Sequence, residues 1–331
     1  MKQTLISVVL LVMAVVLPLL AGENPYLIGI LISVLMMATL ASAWNIVGGY
    51  AGQYSFGHAA YFGAGAYTTM SMLSVFNTNP LIGMAAGIAV ACLIALVTGS
   101  IVFRLRGHYF ALASIAVAEI VRLTVLNLGF TGGAQGILLT DVAFFGLDMN
   151  SKNPFYYGML LSLALTLGIT AYLHKSKTGY YLQAIREDQD AAASLGINLA
   201  FYKNKALMIS AALTSVVGSI YAVYIRFIDT TAVLDLRMSI EIILTAIIGG
   251  VGTLWGPLLG AVLLVPLAEA LRSNLLGSVM FKYGIVSETS PVGIFLKDGL
   301  AHAHVLVYGI ITVLCILYLP KGILGFFRRG K

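Results

Sequence analysis

The chain has 331 residues, of which 60% are hydrophobic and only 10% are charged, and its formal net charge is +6. Soluble domains carry roughly 25% charged residues, and several apolar runs here reach the roughly 20 residues that cross a bilayer. The composition excludes an ordinary soluble protein and predicts an all-α, polytopic membrane protein surrounded by lipid. In such a chain the positive charge marks topology, so it does not indicate a nucleic-acid partner.

Apolar runs predict about ten transmembrane helices in a single domain covering residues 1–331. They lie at 4–21, 26–47, 57–76, 80–103, 109–128, 154–174, 206–228, 238–254, 257–272 and 304–320. The eighth and ninth runs are short and are joined by Gly256-Pro257, so they also fit broken or re-entrant helices. The first run is too long for the apolar core of a signal peptide and no A-x-A site follows it, which favours an uncleaved first span.

The basic residues predict the orientation. With the N-terminus inside, twelve of the nineteen lysines and arginines fall in inside segments and six fall outside. This bias predicts that the N- and C-termini are both cytoplasmic. Two outside stretches, 129–153 and 273–303, are longer than simple turns, so they either dock a partner or only connect spans. The inside stretch 175–205, which we expect to be a cytoplasmic coupling loop, is also too long for a simple turn, and its residues 178–205 are the most polar part of the chain.

A glycine-rich stretch from Trp44 to Met70 lies between two apolar runs. Backbone that leaves a helix within lipid must be buried in protein or line a water-filled cavity, because each unsatisfied N–H or C=O costs several kcal/mol. The stretch is therefore a candidate lining of a translocation path. A tight turn followed by small-residue packing is the alternative. The candidate path residues are Gly48, Gly49, Gly52, Gln53, Ser55 and His58.

A second glycine-rich string follows the apolar run that starts at Ile240. This string adds three candidate path residues, Gly249, Gly250 and Gly252. Paired interruptions in two halves of a transporter indicate an inverted repeat with the path at its interface. Chance is the alternative explanation, because the chain contains 35 glycines.

The inside stretch contains Asp190-Ala191-Ala192, followed after three residues by Gly196. This pattern resembles the EAA loop of ABC-importer permeases, a short helix–turn–helix that sits in a cleft of the ATPase. Small alanines allow close packing, and the glycine permits the turn. Asp replaces the family's Glu, and no Ile-x-Leu-Pro follows, so a solvated amphipathic helix is the alternative. Candidate coupling residues are Arg186, Glu187, Asp188, Asp190 and Gly196.

One pair of charges lies within a span. Glu119 and Arg122 are three residues apart and therefore share a helix face, where they can pair. An intramembrane charge indicates a functional site by default, but a pair favours a structural role in packing against a partner.

Catalytic and metal motifs are not found in the sequence. There is no G-x-x-x-x-G-K-[ST] phosphate loop, no H-E-x-x-H and no G-x-S-x-G. The two cysteines, Cys92 and Cys315, lie within apolar runs and indicate neither disulfides nor a metal site. We therefore expect no catalytic residue, no metal and no cofactor in this chain, and any ATP to be used by partner subunits.

Five strings, in one order, resemble LivM-type permeases of branched-chain amino acid ABC importers over most of the chain. They are Trp44–Tyr67, Phe110–Arg122, Thr131–Gly136, Ala184–Ala192 and Gly249–Ala261. The resemblance implies a permease of the bacterial inner membrane that translocates Leu, Ile or Val. It also implies a second related permease subunit, two cytoplasmic ATPase subunits and a periplasmic substrate-binding protein.

Two other functions stay open at this stage. The same permease family includes importers of urea and short amides. A gradient-driven secondary transporter or channel is the alternative of another class, although the coupling-like loop weighs against it. No constellation in the sequence binds the carboxylate or ammonium of an amino acid, so we expect a path of low selectivity.

Overall fold

A computed structural model describes residues 24–105, 107–139, 151–273 and 322–328, with isolated positions at 15, 17, 18, 309, 310, 313, 314 and 317. Most of these residues are helical. The predicted spans 4–21 and 304–320 lie almost entirely outside the described residues, as do large parts of the two long outside stretches.

The helices of the first half are α1 (Pro25–Asn45), α2 (His58–Phe76), α3 (Pro80–Val102), α4 (His108–Asn127) and α5 (Asn153–Lys175). A π-helical turn, Ile46–Tyr50, extends α1, and short 3-10 turns at Gly129–Thr131 and Gly133–Gln135 precede strand β1 (Ile137–Leu138).

The second half contains α6 (Lys177–Glu187), α7 (Gln189–Ser194), α8 (Leu199–Ile225), strand β2 (Phe227–Ile228), α9 (Thr230–Val233), α10 (Leu236–Gly249), α11 (Gly256–Arg272) and α12 (Gly322–Arg328). The strands β1 and β2 pair antiparallel, with Ile137 opposite Ile228.

Five of the described helices are long and apolar enough to cross a membrane: α1 with its π turn, α3, α4, α5 and α8. This confirms the expectation of an all-α, multi-pass membrane protein. Helix α10 is different, because it has 14 residues. At 1.5 Å per residue it rises about 21 Å, which is less than the roughly 30 Å of a hydrocarbon core.

Local sequence explains where several helices begin. Asn24 and Asn79 precede prolines, and each side chain accepts a hydrogen bond from the backbone N–H two residues on. An asparagine cap satisfies a donor that the helix leaves unpaired, and proline at the first position lacks one. The Asn-Pro pairs therefore set the starts of α1 and α3 at the positions that the apolar runs predict.

Glycine allows α2, α3 and α8 to pack closely. A Cβ on Gly65 of α2 would collide with the carbonyl of Ser215 in α8, and one on Gly87 of α3 would lie 3.1 Å from the Gly65 Cα. A Cβ on Gly218 of α8 would likewise collide with Phe62. Small residues at such crossings let helix backbones approach in lipid, where no hydrophobic force drives association. These contacts form a small-residue packing in the second part of the first glycine-rich stretch, after the turn.

Helices α1, α10 and α11 form a second group. Tyr26 at the start of α1 donates to Glu269 near the end of α11, while Asn45 at the end of α1 contacts the connection between α10 and α11. We call the bundle end that contains Asn45 and α6 the α6 end, and the end that contains Tyr26 and Glu269 the opposite end.

Candidate functional site

The segment that follows α1 is buried and held by its own hydrogen bonds. The indole Nε1 of Trp44 donates to the carbonyl of Ser55 over 2.8 Å, and the Trp44 ring covers Gly48. Gln53 donates to the carbonyl of Ala51 over 3.2 Å. The side chains of Gln53 and Ser55 are both buried. The segment is therefore an ordered turn in which the polar groups contact the backbone.

His58 begins α2 in a fully buried position. Its Nε2 lies 2.8 Å from the hydroxyl oxygen of Ser210, which itself lies 2.6 Å from the carbonyl of Ala43. The only hydroxyl hydrogen of Ser210 is used by the Ala43 carbonyl, so Nε2 of His58 must be the donor to Ser210. His58 thus connects α2 to α8 and α1, an arrangement that supports a packing role.

Asn45 brings the two glycine-rich strings together. Its Oδ1 accepts a hydrogen bond from the N–H of Gly252 over 2.8 Å, and its Nδ2 donates to the carbonyl of Thr253 over 2.9 Å. A Cβ on Gly49 would lie 2.6 Å from the Gly252 nitrogen. We call Asn45, Gly49, Gly252 and Thr253 the Asn45 clamp. It joins the two interruptions that the sequence predicts as related, while the inverted repeat itself stays a prediction.

Glycine is required in this clamp. Gly252 has a φ of +76° and Gly250 a φ of +127°, which side-chain-bearing residues rarely adopt. A Cβ on Gly249 would collide with the backbone carbonyl of Gly256 at the start of α11. The connection between α10 and α11 is therefore a tight turn of close backbone contacts.

Arg186 links the predicted coupling stretch to the clamp. From α6 its Nη1 donates to the carbonyl of Gly49 over 3.0 Å. A Cβ on Gly52 would lie 2.8 Å from Cγ of Arg186, and one on Gly252 would lie 2.9 Å from its Nη1. The guanidinium also pairs with Glu187 at 2.7 Å. Two sets of residues that the sequence assigns to different tasks are thus in contact.

The predicted coupling stretch is a helix–turn–helix. Asp188 separates α6 from α7 and caps α7, because its Oδ1 accepts from the N–H groups of Asp190 and Ala191. Ala192 is buried, and Gly196 turns the chain after α7 with a φ of +81°. Asp188 therefore has a structural role, and the arrangement matches the short helical pair expected from the sequence.

Lys203 is one of the twelve basic residues in the predicted inside segments, where the sequence marks only topology. Its side chain is 1% exposed, and its Nζ donates to Oε1 of Gln189 over 2.8 Å and lies 5.8 Å from the centre of the Phe103 ring. Because a lysine is rarely buried without partners, this contact fixes the start of α7 against α8. Helix α8 begins at Leu199, seven residues before the predicted apolar run, because the Oδ1 of Asn198 accepts a hydrogen bond from the N–H of Phe201 and caps the helix.

Glu119 and Arg122 form an ion pair on α4, as their spacing predicts. Nε of Arg122 donates to Oε2 of Glu119 over 2.8 Å, and a second contact is 2.5 Å long. The side chain of Glu119 is 49% exposed and that of Arg122 is 29% exposed. Tyr109, Leu112 and Leu123 are exposed on the same helix. The pair thus lies on a face of α4 that the described residues leave uncovered.

Comparison with known proteins identifies the family. A family model described as "Branched-chain amino acid transport system / permease component" matches residues 26–316. The high-affinity branched-chain amino acid transport system permease protein LivM of Escherichia coli (strain K12) is 29% identical over 301 residues, covering 82% of this chain and 69% of that protein. A probable LivM of Methanocaldococcus jannaschii is 24% identical, covering 80% of this chain and 77% of that protein.

A probable LivH permease from the same archaeon is 24% identical over 269 residues, covering 78% of this chain and 83% of that protein. No solved structure gives a significant match. The family match extends over most of the chain and includes the Asn45 clamp, the α6–α7 pair and the α4 ion pair. The chain therefore belongs to the permease-component family of branched-chain amino acid transport systems.

Proposed function

We propose that this protein is the transmembrane permease subunit of an ATP-driven ABC importer that moves leucine, isoleucine and valine across the bacterial inner membrane. Relatives of the LivM type are named for branched-chain amino acid transport. The observation that carries the proposal is the hydrogen bond from Arg186 to Gly49, because it connects a cytoplasmic coupling helix to interrupted membrane helices.

The α6–α7 pair is the docking element for an ATPase subunit. Besides charged side chains, it exposes two apolar ones, Tyr180 at 64% and Leu195 at 81%. Exposed aromatic and aliphatic groups beside charges are typical of a protein interface. Movement of α6 would displace Arg186 and, through the Gly49 carbonyl, the π turn at the end of α1. ATP hydrolysis in the partner would thereby act on the Asn45 clamp.

Three of the candidate path glycines lie in tight contacts that this movement would open. Gly49, Gly52 and Gly252 all touch Arg186 or the clamp, with no space for a side chain. Interruptions in membrane helices that meet at one point are typical of transporters that alternate between two states. We propose that the clamp is closed in this arrangement and separates when α6 moves.

The exposed face of α4 is the contact surface for the second permease subunit. An ion pair in hydrocarbon is costly, and such pairs usually face protein or a water-filled cavity. The matches to both LivM and LivH proteins support an importer with two related permeases. We therefore expect a helix of the second permease to cover Glu119 and Arg122.

In this assembly the α6 end faces the cytoplasm, both termini are cytoplasmic, and a periplasmic binding protein delivers the amino acid to the opposite end. The excess of lysine and arginine in the α6-end segments supports this orientation.

The test is reconstitution of the permease with its second permease, two ATPases and binding protein in liposomes. We expect ATP-dependent uptake of leucine that requires the binding protein, and no competition by urea. Uptake of urea in place of leucine would assign the chain to the urea and amide importers. Uptake without ATP or the other subunits would instead indicate a secondary transporter or channel.

A further inference from the structure

A pocket of about 510 Å³ lies between α1, α10 and α11. Most of its wall is apolar, with Met36 and Met37 from α1, Leu244 from α10, and Leu264 and Val265 from α11, and Gly309 also lines it. This volume is within the range of small-molecule sites, roughly 300–1,000 Å³. Methionine side chains adapt to irregular apolar ligands.

Two opposite charges line the same pocket from α10. Arg237 and Glu241 are four residues apart, so they lie on one helix face, and they are close enough to interact electrostatically. Within the described residues, neither side chain has a hydrogen bond or an ion pair; Arg237 is exposed, and Glu241 is only partly exposed. A guanidinium and a carboxylate thus stand beside an apolar pocket, each with donor or acceptor capacity left over.

The other charges of the pocket are already paired. Glu269 forms an ion pair with Arg272 at 2.9 Å and accepts a hydrogen bond from Tyr26 over 3.2 Å. These three residues lie at the opposite end of the bundle. Of the charged residues that the structure describes in this pocket, Arg237 and Glu241 are therefore the ones available to bind a charged ligand.

A free amino acid with an aliphatic side chain matches this arrangement. Its carboxylate and its ammonium are bonded to the same carbon, so they need one cationic and one anionic partner placed close together. The carboxylate can accept two hydrogen bonds from the planar guanidinium of Arg237, and the ammonium can donate to Glu241. A branched aliphatic side chain would then occupy the space beside Met36, Met37 and Leu264.

We propose that this pocket binds the zwitterion of a branched-chain amino acid during transport, with Arg237 as the carboxylate-binding residue and Glu241 as the ammonium-binding residue. The assignment rests on the proposed function and names a binding site that the sequence does not reveal.

The position of the pocket fits such an intermediate site. Met37 precedes Asn45 by eight residues, which is about 12 Å along α1. The same three helices that line the pocket converge at the Asn45 clamp, where α1 meets the connection between α10 and α11. The closed clamp therefore separates the pocket from the α6 end, and its opening would release the bound amino acid toward that end.

A second groove is a useful comparison for the pocket that Arg237 and Glu241 line. It has a volume of about 660 Å³ and lies between α2, α3, α5 and α8, where apolar side chains such as Leu161, Leu165 and Val216 line it. Among the described residues, no charged side chain lines this groove. The described lining can accept apolar chains, but it does not provide the two charges that a zwitterion needs.

The test uses the complete reconstituted importer with its binding protein and measures ATP-driven leucine uptake. Arg237→Gln and Glu241→Gln remove one charge each, whereas Arg237→Lys and Glu241→Asp keep it. Arg104→Gln is the control for loss of a positive charge at an exposed position away from the pocket. We expect uptake to fall about tenfold or more in the two Gln variants, because a charged hydrogen bond is lost, and to be partly retained in the Lys and Asp variants. ATP hydrolysis stimulated by the leucine-loaded binding protein should persist.

A direct measurement uses photo-leucine, an amino acid with a diazirine in its side chain, on the same complex. We expect the label in peptides that contain Met36, Met37 or Leu264, and we expect excess leucine to prevent it. Isopentylamine and 4-methylpentanoate should compete weakly, because each lacks one of the two charges. This measurement does not depend on the folding of any variant.

The outcomes separate the two proposals. Leucine uptake by the wild-type complex with unchanged uptake in both Gln variants, or photolabelling elsewhere in the chain, overturns the zwitterion site alone. A wild-type complex that shows no ATP-driven leucine uptake overturns the proposed function and, with it, the identity of the ligand.

Discussion

The guanidinium of Arg186 donates a hydrogen bond to the main-chain carbonyl of Gly49 over 3.0 Å, although the two residues are 137 positions apart in the sequence. Because the acceptor is a main-chain carbonyl of the π turn, a substitution at Gly49 does not remove it, whereas a substitution at Arg186 removes the donor. The hydrogen bond makes Arg186 the direct link between α6 and the interrupted helix α1.

Replacement of this arginine should uncouple the importer. In Arg186→Gln the charged donor is lost, and such a hydrogen bond contributes about 1.5–3 kcal/mol, with the lower end expected for a partly exposed side chain. We expect leucine uptake to fall about tenfold while ATP hydrolysis by the assembled complex continues. The comparison variant is Glu187→Gln, because among the described residues the exposed Glu187 carboxylate forms an ion pair with Arg186 alone. Equal loss of uptake and hydrolysis in Arg186→Gln would contradict this role.

Replacement of Asn45 in the clamp by aspartate should lower the stability of the complex. Asn45→Asp places a carboxylate against the carbonyl of Thr253 in place of the Nδ2 donor. An unsatisfied buried polar contact costs about 1–3 kcal/mol, so the thermal midpoint of the purified complex should decrease. Asn127→Asp is the matched control, because Asn127 is exposed and bonds only within its own helix. A midpoint equal to that of the control would mean that the clamp contributes little.

Bulk at Gly52 should block transport by displacing Arg186. Gly52 has a φ of +66°, and a Cβ there would lie 2.8 Å from Cγ of Arg186. Left-handed backbone costs a non-glycine residue about 1–2 kcal/mol in addition to this clash. We expect Gly52→Leu to abolish uptake while the complex still reaches the membrane, as measured by uptake and membrane content. Gly168→Leu is the control, since nothing lies within 4 Å of a Cβ at that helical position. Unchanged flux in Gly52→Leu would leave a purely local packing role for the glycine.

The α6–α7 pair can be tested without changing the membrane helices. Asp190→Arg reverses a charge on its exposed surface, and we expect this change to abolish uptake and ATPase co-purification while the permease remains in the membrane. Gly196 has a φ of +81° with open space around it, so Gly196→Asn should be tolerated and Gly196→Val should not. Normal uptake in Asp190→Arg would refute the coupling assignment.

The ion pair on α4 should matter for assembly. Glu119→Gln leaves Arg122 without its partner, and an unpaired charge at a protein interface is costly. We expect this variant to lose co-purification of the second permease, and we expect the double variant Glu119→Gln/Arg122→Gln to recover much of it. If the single variant still assembles but fails to transport leucine, the pair faces the path and not the partner subunit.

Much of this protein was predictable because its determinants are local. Continuous apolar runs and the Asn-Pro starts at Asn24 and Asn79 define where helices lie, and the acid-Ala-Ala-x-x-x-Gly string predicts the α6–α7 pair. Glycines that interrupt apolar runs identify both ends of the Asn45 clamp. These features depend on neighbours within one or two helical turns, so the sequence by itself determined the class, most helix positions and the segments that matter.

The contacts between these segments required the tertiary structure. Asn45 meets Gly252 across 207 positions, and Arg237 and Glu241 share a pocket with Met36 only because α1, α10 and α11 converge. No local pattern records which side chain will face which helix, since that choice depends on how glycine-lined surfaces pack together. The sequence alone therefore indicated a path without a binding site. The packing of three helices placed Arg237 and Glu241, which form no ion pair with the residues that the structure describes, beside an apolar pocket.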